Sequence, residues 1–230
     1  MTSKIIYTIF APEVKGKQND MWKSASKIIQ VQQAYATSVG ADYKCIEFES
    51  GMDYNELQFK KLEYLDTFSN YDQILYLDFD VLPHKHAENI FEREYELALM
   101  PLLRTNCDKS ALKRVVLAME KLEKKGKDII FNTGVVTAQG QYIKKLNLIN
   151  KMKEFRSMAY WMTDDINNEA FMTWAIEKYD IEWDYLSTSW NWILDPGDTM
   201  PTAFPINFIH FSNKEFDFSL TSLDENSKSQ

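Results

Sequence analysis

Cysteine is nearly absent: Cys45 and Cys107 are the only two in the 230-residue chain. Two thiols cannot build a disulfide framework, so a reducing compartment, the cytoplasm, is the expectation. Glycine is scarce too, with seven residues, and neither Gly-x-x-x-x-Gly-Lys nor Gly-x-Gly-x-x-Gly occurs. That excludes phosphate binding by a glycine-rich nest. No apolar run approaches the ~18 residues that span a membrane. The apolar stretch near the N-terminus is too short for the core of a signal peptide. Basic residues are outnumbered, 26 Lys plus Arg against 34 Asp plus Glu, for a formal net charge of −8. This argues against a nucleic-acid partner, which would need positive charge to meet its backbone.

Apolar and aromatic side chains are plentiful, at 45% hydrophobic with 14 Phe, 12 Tyr and 6 Trp, so the chain can bury a core. Lys4–Phe10 reads as a buried strand ended by Pro12. Asn19 or Asp20 can cap a helix running to about Ser38, with Gly40 as its stop. Further on, the pattern predicts strands over 43–48, 74–82, 95–100, 129–137, 181–186 and 205–211, with Pro101 stopping the fourth strand of the chain. It predicts helices over 56–68, 110–125, 142–155 and 165–178. Strands alternating with helices imply an α/β fold with a largely parallel, mixed sheet, whose ligands sit beyond the carboxyl ends of the strands. From about Thr221 the sequence is polar and reads as a frayed tail or a linker within a longer multidomain polypeptide.

The segment 74–82, Ile-Leu-Tyr-Leu-Asp-Phe-Asp-Val-Leu, is apolar apart from Asp78 and Asp80. In a continuous strand these two acids point one way and Phe79 the other. Like charges beside an apolar core repel and lose hydration, and a divalent cation removes both penalties; carboxylates suit Mg²⁺ or Mn²⁺. The alternative is a strand that ends at Asp78, with both acids in a solvated turn. Among the three histidines, His84 and His86 follow Pro83 in a polar loop, whereas His210 lies inside the last apolar strand. His210 is a candidate third ligand or a buried neutral ring held by a backbone carbonyl. Lys214, four residues on, could bring an ammonium near a diphosphate.

Lys61-Leu62, the run Tyr71 to Asp80, Phe131-Asn132-Thr133-Gly134-Val135, Thr163-Asp164-Asp165, Trp190-Asn191 and Ile209-His210-Phe211 follow one another in this order. Together they resemble the metal-dependent nucleotide-sugar glycosyltransferases of the GT-A fold. The group containing glycogenin and the bacterial lipooligosaccharide galactosyltransferases is the most similar in motif, and transferase domains of large algal viruses are similar too. The resemblance implies a single GT-A (Rossmann-like) domain over 1–220, with a mixed, mainly parallel central sheet flanked by helices and a polar tail at 221–230. Residues 1–100 would be the nucleotide- and metal-binding half and 101–220 the acceptor side. It implies Mn²⁺ (or Mg²⁺) on Asp78, Asp80 and His210, a UDP-sugar donor, a glycan or other hydroxyl acceptor, and retention of anomeric configuration.

By the same resemblance, Tyr7, Thr8, Phe10 and Ala11 at the end of the first strand would hold the base. Lys61, Phe79, Asn132, Gly134 and Lys214 would line the donor, and Asp165 and then Asp164 are the catalytic candidates. Acids at a helix start are also ordinary caps. Trp190, Trp192 and Tyr185 could form an aromatic wall for an acceptor sugar or pack in the core. Two departures stand out. Ser212-Asn213-Lys214 replaces the family's Gly followed by Lys-Pro, and Asp164-Asp165 replaces a motif that normally contains Gln. Two rival functions are a nucleotidyltransferase making sugar nucleotides and a catalytically inert sugar-binding module.

Overall fold

A computed structural model describes residues 2–14, 17–18, 20–49, 51–103, 129–158, 168–194, 205–211 and 215–221. Its centre is a six-stranded sheet of order β4-β1-β5-β8-β7-β9. The strands are β1 (Lys4–Phe10), β4 (Asp42–Glu47), β5 (Gln73–Leu77), β7 (Leu97–Leu103), β8 (Ile129–Gln139) and β9 (Asp184–Tyr185). β1 runs parallel to β4 and β5, and β7 parallel to β9, while β8 is antiparallel to both β5 and β7. A small second sheet joins β10 (Trp192–Leu194), β11 (Phe208–Phe211) and β6 (Val81–Pro83). A hairpin of β2 (Glu13–Val14) and β3 (Lys17–Gln18) follows β1.

Strand alternation divides the core into two faces. Ile5, Tyr7, Ile9, Ile74 and Tyr76 pack on one face against α2 (Tyr54–Thr67), α3 (Gly140–Leu146), α4 (Leu148–Met158) and α5 (Asn168–Tyr179), through Phe59, Leu62, Ile143, Phe155 and Trp174. Ile6, Leu75 and Leu77 face the other way, against Tyr35 and Ala36 of α1 (Ala25–Ser38) and Val39 just after it. This is a mixed α/β fold with a central, mostly parallel sheet covered by helices, as the sequence predicts.

Several boundaries differ for identifiable reasons. The strand expected over 74–82 is two strands: β5 stops at Leu77, a turn holds Asp78, Phe79 and Asp80, and β6 joins the other sheet. The expected helix over 142–155 breaks at Asn147, which takes a left-handed conformation (φ 50°) that asparagine tolerates. Pro101 does not end β7, because β9 pairs only with Ala98 and Leu99, leaving Pro101 on a strand edge where no N–H is required. Of the two expected caps, Asp20 opens a 3-10 turn, Asp20–Ser24, after which α1 begins, and Asn19 lies outside the described residues. The expected strands over 181–186 and 205–211 shorten to β9 and β11. Thr221, read as the start of a frayed tail, is buried, and its hydroxyl donates to the Phe218 carbonyl at 2.8 Å. The helix expected over 110–125 lies outside the described residues. Among the described residues, no helix is long and apolar enough to cross a membrane.

Candidate active site

The last rung of β5 is the Asp78 N–H, which donates to the Gly134 carbonyl on β8 at 2.7 Å. The chain then turns, with the Val81 N–H donating to the Asp78 carbonyl at 2.9 Å. Gln32, on the buried face of α1, clamps this turn. Its Nε2 donates to the carbonyls of Asp78 (3.2 Å) and Val81 (2.8 Å), and the Tyr43 hydroxyl donates to its Oε1 at 3.0 Å. Phe79 points away and stacks on Phe10 with ring centroids 4.3 Å apart. β6 leaves the turn antiparallel to β11, with Val81 opposite His210, and the Phe211 N–H donates to the Asp80 carbonyl at 2.9 Å. A residue remote in sequence is thereby delivered to the acidic turn.

Asp78, Asp80 and His210 each offer a ligand atom within 4.8 Å of the other two. The His210 Nε2 lies 3.3 Å from Asp80 Oδ1. Burial opposes ionisation of Asp80, but the adjacent His210 ring outweighs it and holds the carboxyl below its ordinary range. Burial likewise opposes a charged His210, and the Asp80 carboxylate outweighs it, so the ring's pKa rises. Asp78 Oδ1 accepts from Lys61 Nζ at 2.9 Å and from the Tyr76 hydroxyl at 2.5 Å. Lys61 is itself buried, so Asp78 serves as its counter-ion. Burial, with Asp78 as a secondary cause, pushes the Tyr76 hydroxyl well up, and Tyr76 remains a neutral donor.

Behind His210 lies a polar chain. The ring Nδ1 is 3.1 Å from Asn191 Oδ1, and Asn191 Nδ2 donates to Asn132 Oδ1 at 2.6 Å. Asn132 Oδ1 also accepts from the Gly134 N–H at 2.9 Å, and Asn132 Nδ2 donates to Glu169 Oε1 at 3.1 Å. Burial raises the Glu169 carboxyl above its usual range. A Cβ on Gly134 would stand 2.8 Å from His210 Cε1 and 2.9 Å from its Nδ1, so the ring's seat depends on glycine at that position.

The fold thus brings Lys61, Asp78, Asp80, Asn132, Gly134 and His210 together. Tyr7 lies beneath them as a core ring, with its hydroxyl donating to the Lys61 carbonyl at 2.5 Å. Thr8, Phe10 and Ala11 are buried along the end of β1. Asp164, Asp165 and Lys214 lie outside the described residues. His84 and His86 face each other in the loop after β6 and are not part of the acidic cluster. Of the three rings offered for an acceptor sugar, Trp190 is a core residue edge-on to Phe208, Trp192 is partly buried against the core around Ile209 and Phe211, and Tyr185 is exposed. Sequence reasoning missed Gln32, Tyr76 and Glu169. A glutamine within the apolar stripe Ile28, Val31, Tyr35 was the available signal for the first.

The donor set suits a hard divalent ion: two carboxylates and an imidazole whose far nitrogen is already engaged. A search among solved structures finds the galactosyltransferase LgtC in complex with donor and acceptor sugar analogs, 12% identical over 90% of this chain and 87% of that one, with a TM-score of 0.56. Mouse xyloside xylosyltransferase 1 in its apo form matches at 10% identity over 94% of this chain and all of that one (100%), TM-score 0.58. A glycosyltransferase involved in glycosylation of the major capsid of PBCV-1 matches at 14% identity, over 91% and 94% of the two chains, TM-score 0.53. At such identities the likeness establishes a shared fold. No curated protein sequence matches the chain. The model of glycosyl transferase family 8 matches residues 2–215, the acidic turn and the β11 histidine included, and the chain belongs to that family of glycosyltransferases.

Proposed function

We propose that this glycosyltransferase moves a sugar from a UDP-sugar to a hydroxyl acceptor on a glycan, with retention of anomeric configuration and with Mn²⁺ or Mg²⁺ held by Asp78, Asp80 and His210. The observation that carries the reading is the convergence of those three side chains at the carboxyl end of β5, where ligands of such sheets bind. A divalent ion bound there supplies Lewis-acid neutralisation of the leaving diphosphate. Lys61 and Tyr76 fix Asp78 through one carboxylate oxygen and leave the other available. The clamp of Gln32 on the turn keeps Asp78 and Asp80 on one side. In this reading Lys214 adds positive charge at the diphosphate, and Asp165, with Asp164 behind it, provides the carboxylate that faces the sugar.

Family membership supports sugar transfer over nucleotidyl transfer. The intact trio supports a working enzyme over an inert binding module. Thermal-shift measurements with UDP, with and without Mn²⁺, test the proposal. UDP at a hundredfold excess over its Kd stabilises the chain by ~2.7 kcal/mol, and this gain should require Mn²⁺ and vanish in Asp78→Asn/Asp80→Asn. Equal UDP stabilisation without Mn²⁺, or a larger response to GDP, would overturn the donor and metal assignment.

A further inference from the structure

Every polar atom in the chain behind His210 has a direction, and one member fixes all the others. The backbone N–H of Gly134 can only donate, so the Asn132 atom it meets at 2.9 Å is the amide oxygen. The same oxygen lies 2.6 Å from the Asn191 amide. Two amide oxygens at that distance would repel, so Asn191 presents its NH₂ to Asn132 and its own oxygen to His210. That oxygen, 3.1 Å from the ring, can only accept, and the His210 Nδ1 must therefore carry a hydrogen. Asp80 Oδ1, 3.3 Å from Nε2, accepts too, so a charged ring serves both partners; a neutral ring keeps its one hydrogen in the shorter contact to Asn191 and leaves the lone pair on Nε2.

We propose that Asn132 and Asn191 are positioning residues that hold His210 as the Nδ1–H tautomer, with Nε2 directed at the Asp78–Asp80 pair as a ligand for a divalent ion. The part concerning the ion rests on the function proposed above. The tautomer itself rests only on hydrogen-bond geometry. A histidine side chain in water prefers the opposite tautomer, and without the relay His210 would turn an N–H toward the site. Both asparagines are buried, so no solvent competes for the bonds that set this polarity. Gly134 joins the same device twice, as the donor that starts the chain and as the missing Cβ that leaves room for the ring.

Long-range proton–nitrogen NMR on the ¹⁵N-labelled chain, at a pH where the ring is neutral, reads the tautomer directly. The three histidines are separated by the loss of one signal set in His210→Gln. The wild type should show a protonated Nδ1 and an unprotonated Nε2. Asn191→Leu, which can no longer accept from Nδ1, should lose that pattern. Mn²⁺ affinity, read from the EPR signal of the free ion, should fall ~10–100-fold in Asn191→Leu. A protonated Nε2 in the wild type overturns the proposal even if Asn191→Leu does not fold. A folded Asn191→Leu with the wild-type tautomer and Mn²⁺ affinity overturns it too. A wild type with the Nδ1–H tautomer but no Mn²⁺ binding supports the relay and refutes the metal reading instead.

Discussion

Replacing Gly134 by alanine asks a methyl group to share space with the His210 ring. The new carbon would lie 2.8 Å from Cε1, 2.9 Å from Nδ1 and 3.1 Å from Asn132 Oδ1. Ordinary carbon contacts begin near ~3.5 Å, so the ring must retreat by roughly 0.7 Å or the β8 backbone must move instead. Neither gives easily, because the ring is tied to Asn191 and Asp80 and β8 is paired on both sides. Overpacking of this kind costs ~1–3 kcal/mol. At ~2–4 °C per kcal/mol for a chain of this size, Tm should fall by roughly 2–12 °C. The displacement also exceeds the ~0.5 Å within which a functional constellation must be held, so Mn²⁺ affinity should drop along with Tm. Gly40→Ala is the control. Gly40 has a φ of 67° and nothing within 4 Å of its absent Cβ, so alanine there loses ~1–2 kcal/mol to backbone strain alone. Differential scanning fluorimetry and a Mn²⁺ titration should show both variants destabilised and only Gly134→Ala impaired in metal binding. Wild-type Mn²⁺ affinity in Gly134→Ala would refute the reasoning.

Gln32→Leu leaves two carbonyls of the acidic turn and the Tyr43 hydroxyl without their partner. It should cost ~1–3 kcal/mol in urea unfolding, and a loss no larger than that of an exposed polar residue would deny the clamp. Burial raises the Glu169 carboxyl above its ordinary 4.5, so the folded chain holds that proton more tightly than the unfolded one. Glu169 therefore contributes stability that is full below the unfolded value and is lost as pH rises through the folded one. Glu169→Gln should accordingly match the wild type at low pH and gain on it as pH rises through that window; a difference in Tm independent of pH would contradict this. Asp165→Asn, placed at the sugar by the family resemblance, should bind UDP and Mn²⁺ normally. Its transfer should slow by ~10²–10³-fold if Asp165 acts electrostatically, and nearly stop if it is a nucleophile. An inverted linkage in the NMR spectrum of the wild-type product would refute retention.

What the sequence determined by itself is whatever depends on near neighbours along the chain. The apolar run of β1 and the helical stripes of α1 and α2 are local periodicities, and hydrophobic burial acts on them directly. The pairing of Asp78 with Asp80 was legible because only one residue separates them, and His210 because a histidine in an apolar strand needs a partner. The break of 74–82 into β5 and β6 was not legible. An apolar run looks the same whether it continues in one sheet or crosses to another, and the crossing is decided by the hydrogen bonds of Asp78 to Gly134 and of Phe211 to Asp80. Nor could the sequence orient the site. Asn191 lies 59 residues from Asn132 and 19 from His210, and Lys61 lies 17 from Asp78. Which nitrogen of a neutral His210 keeps the hydrogen is set, through Asn132 and Asn191, by a single Gly134 N–H on a strand of the other sheet. Hydrogen-bond polarity passes only between groups in contact, and tertiary packing alone made those contacts.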